Sequence, residues 1–145
     1  MVSYGQKINV YLPVARIYTG TELDLPVYIQ RGKKDGPILF VCAAIHGDEI
    51  NGVEIIRRLI KKLSRQTIRG TLIAIPVVNV FGFLNHTRYL PDRRDLNRNF
   101  PGSENGSLTS KLANIFMNEI VRKCTHGIDL HTGSNHRGNL PHVRS

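Results

Sequence analysis

The chain has 145 residues, with 20 Lys and Arg against 11 Asp and Glu, and a formal charge of +9 with its six histidines neutral. Its 41% hydrophobic and 21% charged content is that of a folded domain, which excludes disorder, collagen-like repeats and low-complexity sequence. A chain of this size buries roughly two-thirds of the surface its unfolded form exposes. The longest apolar run, residues 37–45, is too short to cross a bilayer, and the start MVSYGQKINVYLPV lacks the basic and then apolar pattern of a signal peptide. The sequence therefore reads as cytoplasmic, with no membrane partner.

In chain order, residues 8–17 and 25–30 are rich in β-branched and aromatic residues and read as strands, followed by a turn cluster, RGKKDGP, at 31–37. Residues 38–45 form a continuous apolar run, the pattern of a strand buried on both faces. His46-Gly47-Asp48-Glu49 closes that run, and a helix to about Ser64 follows, with Val53, Ile56, Leu59, Ile60 and Leu63 at helical spacing. Arg57, Arg58, Lys61, Lys62, Arg65 and Arg69 lie on or just after this helix, mostly on its opposite, solvated face, where cations also suit a helix C-terminus. Residues 70–80 read as a second buried strand, completing a strand-helix-strand unit of a parallel sheet. Residues 81–106 form a long polar loop, 108–122 an amphipathic helix with Ser107 as N-cap, and 128–131 a short strand. The expected fold class is α/β, a mostly parallel mixed sheet flanked by helices. Cys42 and Cys124 form no CxxC pair or disulfide framework and read as two unpaired thiols. Arg88, Arg93, Arg94 and Arg98 lie in the loop with no aromatic platform or recognition-helix pattern around them, so the positive charge does not imply a nucleic-acid partner.

His46 and Glu49 stand where a buried strand gives way to a helix, and His131 stands at the C-terminal end of another strand. Strand carboxyl ends line the ligand crevice of open α/β sheets, so the three residues are expected at one mouth. Two histidines and a carboxylate with a fourth position open make a catalytic zinc site. The arginine-rich loop adds guanidinium forks that bind carboxylates and stabilise oxyanions. Asp48 reads as a helix cap, and Asp129, two residues before His131 on the same strand face, either orients that ligand or serves a structural hydrogen bond. His86 and His126 read as solvated. His136 and Arg137 are near enough to the mouth to contact a substrate, and His142 has no informative context.

HGDE at 46–49, RDLNRNFPG at 94–102 and IDLHTGSNHRGNLP at 128–141, in that order, resemble the succinylglutamate desuccinylase/aspartoacylase family of the zinc carboxypeptidase-like superfamily. The resemblance implies one zinc held by His46, Glu49 and His131, and substrate-carboxylate binding by Asn97 and Arg98. It also implies that Arg88 polarises the scissile carbonyl, and that the substrate is a small N-acyl amino acid or related carboxylate. Such an enzyme hydrolyses an amide bond with zinc-activated water.

The family's general acid/base is a glutamate well downstream of the third zinc ligand, and none of the fourteen residues after His131 is Asp or Glu. Residues 1–145 are therefore expected to be the N-terminal part of a zinc-dependent amidohydrolase catalytic domain, inactive as they stand. The alternatives are a zinc carboxypeptidase acting on peptide C-termini and a non-catalytic metal-binding fragment.

Overall fold

β-branched and aromatic residues alternate between core and solvent along Lys7–Arg16 (β1) and Glu22–Arg31 (β2), which pair as an antiparallel hairpin. The structure is a computed structural model that describes residues 2–16, 20, 22–134 and 137–144. Lys34–Ala43 (β3), Asn51–Leu63 (α1) and Arg69–Ile75 (β4) follow as the expected strand-helix-strand unit, with β3 parallel to β4. Then come Val80–Leu84 (α2), Leu108–Glu119 (α3) and His126–Leu130 (β5). Among the described residues five strands lie in the order β1-β2-β4-β3-β5, a mixed sheet whose parallel pairings are β4 with β3 and β3 with β5.

The apolar runs are continuous because each face of the central strands meets a different helix. Val41, Ala43, Leu72 and Ala74 pack with Ile56, Leu59, Ile60 and Leu63 of α1. Their alternates, Cys42, Ile73 and Ile75, pack with Leu112, Ala113 and Phe116 of α3. Fully burying one such side chain, Ile56 for instance, stabilises the fold by about 1.5–3 kcal/mol. Gly52 lets α1 lie close on the sheet: a Cβ there would stand 2.7 Å from the Ala43 Cβ and 2.9 Å from the Leu130 Cβ. The outer face of α1 is solvated, and Arg57 and Arg58 share Glu54 on it.

β2 begins earlier than read, at Glu22, β5 spans His126–Leu130 rather than 128–131, and α3 ends at Glu119. Three further differences have a local reason. β3 starts at Lys34, inside the expected turn cluster, because Lys34 pairs with Arg69 across an irregularity before regular pairing resumes at Ile38 with Thr71. β4 stops at Ile75, since Pro76 has no N–H to donate and the backbone amides of Val78 and Asn79 beyond it turn to the carbonyls of Ala43 and Ala44. The loop at 81–106 is partly helical: α2 occupies its start, capped by Asn79 accepting from the Gly82 amide at 2.8 Å, and a 3-10 turn, Leu96–Arg98, lies within it. The expected Ser107 cap of α3 accepts from the Ser110 amide. No helix among the described residues is long and apolar enough to cross a membrane.

Candidate metal centre

The chain leaves β3 through Ala44, whose φ of 53° is rare for a residue with a Cβ. The amides of Val78 and Asn79 hold that exit by bonding to the Ala43 and Ala44 carbonyls. A tight turn follows, closed by the Glu49 amide on the His46 carbonyl at 3.1 Å. Gly47 is required there, since a Cβ would lie 1.9 Å from the Gly82 carbonyl carbon. Asp48 does not cap α1. The helix begins at Asn51 with Ile50 in the cap position, and the Asp48 carboxylate instead accepts from the Ser134 hydroxyl at 2.9 Å.

His131 follows β5 directly. The parallel register sets Ala43 beside Leu130, so the two strand ends deliver His46 and His131 to the same level of the sheet. Their ring centroids are 5.1 Å apart. His46 Nδ1 lies 2.7 Å from Glu49 Oε1, and His131 Nδ1 lies 2.9 Å from Glu49 Oε2. One ligand atom from each of the three residues falls within 4.8 Å of the other two. His46 and Glu49 are buried, whereas the His131 side chain keeps 32% of its surface exposed and opens the cluster to solvent.

Each imidazole is held from behind by a carboxylate. His46 Nε2 is 3.2 Å from Asp95 Oδ1, and His131 Nε2 is 2.6 Å from Asp129 Oδ2. Paired carboxylates of this kind fix ring orientation and raise ligand basicity. Burial opposes the charge on Glu49, but the hydrogen bonds from His131, His46 and the Thr132 amide prevail and hold its carboxyl at about 2. Hydrogen bonds to Asp129 and then to Glu49 raise His131 to about 10. Two imidazole nitrogens and one carboxylate, converging with their far sides already engaged, form a donor set that fits zinc.

Arg88 closes the back of the cluster. Its Nε and Nη2 donate to Asp95 Oδ2 at 3.1 and 2.8 Å, and its Nη1 is 3.7 Å from Glu49 Oε1. Asp95 also accepts from the Asn97 amide at 2.9 Å, capping the 3-10 turn that carries Asn97 and Arg98. Asn97 and Arg98 are both exposed; the Arg98 guanidinium donates to the Asn97 carbonyl at 3.2 Å, and its backbone amide to the Asp95 carbonyl at 3.1 Å. Arg93 and Arg94 are exposed in the same loop. The residue that sequence reasoning missed is Asp95, which ties His46, Arg88 and the 3-10 turn together. Its one signal is its position immediately before LNR, where a side-chain acceptor starts a helical turn. His86, His126 and His142 are exposed and outside the cluster. His136 lies outside the described residues, and Arg137 is exposed, with its amide on the Ser134 carbonyl.

The profile of the succinylglutamate desuccinylase/aspartoacylase catalytic domain matches residues 35–145. The N-alpha-acetyl-L-2,4-diaminobutyric acid deacetylase of Halomonas elongata is 31% identical over 118 residues, which span 81% of this chain and 34% of that protein. An aspartoacylase family protein of Mesorhizobium loti superposes with a TM-score of 0.80 at 30% identity, over 90% of this chain and 41% of its own. A metallo-carboxypeptidase of Burkholderia cenocepacia shares the fold, with a TM-score of 0.69 at 16% identity over 88% of this chain and 37% of its own. The chain thus spans less than half the length of each of these proteins.

Proposed function

Because the chain belongs to the succinylglutamate desuccinylase/aspartoacylase family, whose members are deacylating hydrolases of amide bonds, we propose that it carries the zinc site of an N-acyl amino acid amidohydrolase. The observation that carries this reading is the convergence of His46, Glu49 and His131, each imidazole backed by a carboxylate. Zinc held by these three residues supplies Lewis-acid polarisation of the acyl carbonyl and a water of lowered pKa. Arg88, fixed by Asp95 beside Glu49, presents positive charge where an oxyanion develops. Asn97 and Arg98, with their side chains at the surface, hold the substrate's free carboxylate through an amide donor and a guanidinium fork.

Among the described residues, each carboxylate near the cluster already has a hydrogen-bond partner. Asp95 holds His46 and Arg88, Asp129 holds His131, and Asp48 accepts from Ser134. We therefore read the 145 residues alone as binding substrate without turning it over. Calorimetric titration of the zinc-loaded chain with N-acetyl-2,4-diaminobutyrate, N-succinylglutamate and a short peptide tests both halves of this reading. Binding of an acyl amino acid should weaken by about tenfold or more in Arg98→Ala, the loss expected for a charge-assisted hydrogen bond. Tighter binding of the peptide than of either acyl amino acid would move the assignment to a carboxypeptidase. Hydrolysis by the chain that disappears in His46→Ala would overturn its silence.

A further inference from the structure

Cys42 and Asp129 are direct partners across the parallel β3–β5 pair, and both side chains lie on the α3 face of the sheet. The Cys42 thiol is 1% exposed, with its Sγ 3.4 Å from Asp129 Oδ1. The other oxygen of the same carboxylate accepts from His131 Nε2 at 2.6 Å. A cavity of about 200 Å³ lined by Cys42 and Asp129 is otherwise walled by Phe40, Ile45, Phe100, Phe116 and Met117, with Asn97 as the one further polar side chain on its wall. A carboxylate gripped at one oxygen on a side chain still 37% exposed is free to swing toward water, carrying the imidazole it holds. A second donor at the other oxygen removes that freedom.

We infer that Cys42 is a positioning residue for His131, acting through Asp129, so that a core thiol sets the orientation of a metal ligand on the neighbouring strand. The inference rests on the zinc reading above. Burial pushes the Cys42 thiol well above its ordinary value, with the Asp129 charge adding to the effect, so the group stays protonated and serves as a donor. Cys42 stands outside the donor set of His46, Glu49 and His131, and its influence passes through the carboxylate.

The test is the zinc dissociation constant of the wild-type chain, Cys42→Ala, Cys42→Ser, Asp129→Ala and the Cys42→Ala/Asp129→Ala double variant, measured by chelator competition. Asp129→Ala should weaken zinc by about 10–100-fold. Cys42→Ala should weaken it in the same direction by a smaller factor, about 3–10-fold. Cys42→Ser, which keeps a donor, should restore wild-type affinity and the wild-type absorption bands of the cobalt-substituted protein. In the Asp129→Ala background Cys42→Ala should add nothing, whereas a general packing defect would cost the same factor in both backgrounds. Wild-type affinity in Cys42→Ala, or equal losses in the two backgrounds, overturns the inference while leaving the zinc site standing. Failure of the wild-type chain to take up zinc removes both.

Discussion

The cluster of His46, Glu49 and His131 and the rim formed by Asn97 and Arg98 are joined through Asp95, yet they are built differently. In the cluster every donor is fixed before a ligand arrives: Glu49 accepts from three groups, and Asp95 and Asp129 hold the far nitrogens. At the rim, Asn97 and Arg98 are exposed, and their backbone amides are anchored on Asp95. The contrast separates what must be preorganised from what adapts. Metal affinity depends on donor geometry that the fold supplies. The carboxylate clamp proposed for Asn97 and Arg98 tolerates side chains that order when a substrate binds, at some cost in conformational entropy. Asp95 belongs to both regions, and it is the point at which the contrast can be broken.

Asp95→Ala should have the largest combined effect on the two regions. It should weaken zinc by about 10–100-fold by releasing His46. It should also destabilise the metal-free chain by about 1–3 kcal/mol by removing the carboxylate that accepts two hydrogen bonds from Arg88. Chelator competition and urea unfolding measure the two losses, and unchanged values in both would show that Asp95 links nothing. Next comes Gly47→Ala, whose new Cβ meets the backbone of Gly82 at 1.9 Å and should cost about 1–3 kcal/mol. Gly138→Ala, with nothing within 4 Å, should stay within about 0.5 kcal/mol of wild type in the same denaturation series.

A pH series on the metal-free chain sharpens the same contrast. Glu49, lowered from 4.5 to about 2, contributes stability that is present above 4.5 and lost as pH falls toward 2. His131, raised from 6.5 to about 10, contributes stability that is present below 6.5 and lost as pH rises toward 10. The contribution of the cluster is therefore greatest between about 4.5 and 6.5 and declines on both sides. Unfolding free energies of wild type and Glu49→Gln should differ most in that window, and a difference that is flat with pH would contradict the assignment. The smallest effects belong to the rim. Asn97→Ala and Arg98→Ala should change neither zinc affinity nor stability by more than about 0.5 kcal/mol, so any defect they show should appear in substrate binding alone.

The cluster was legible in the sequence because it is a property of strand ends. An apolar run closing in HGDE and a strand closing in DLH place His46, Glu49 and His131 at the carboxyl edge of one parallel pair, and parallel register then makes them converge. The alternation of β3 and β4 between α1 and α3 was equally readable, since burial on both faces leaves an uninterrupted apolar string. Asp95 was not, because an acid inside RRDLNRNF looks like a counter-charge to its neighbours. Its true partner, His46, lies 49 residues away and meets it only once the loop has folded back. The early end of β4 escaped notice for a similar reason. Val77, Val78 and Val80 carry the apolar pattern on past Pro76, and the pairing of the Val78 and Asn79 amides with the Ala43 and Ala44 carbonyls exists only once β3 lies alongside.

Zinc content tests the central claim most directly. The chain, equilibrated with zinc and then freed of excess by dialysis, should carry one equivalent by elemental analysis, and His46→Ala should retain less than about one-hundredth of the wild-type affinity, a greater loss than removal of a supporting carboxylate produces. Less than a tenth of an equivalent on the wild-type chain, or undiminished zinc on a folded His46→Ala variant, would contradict the account.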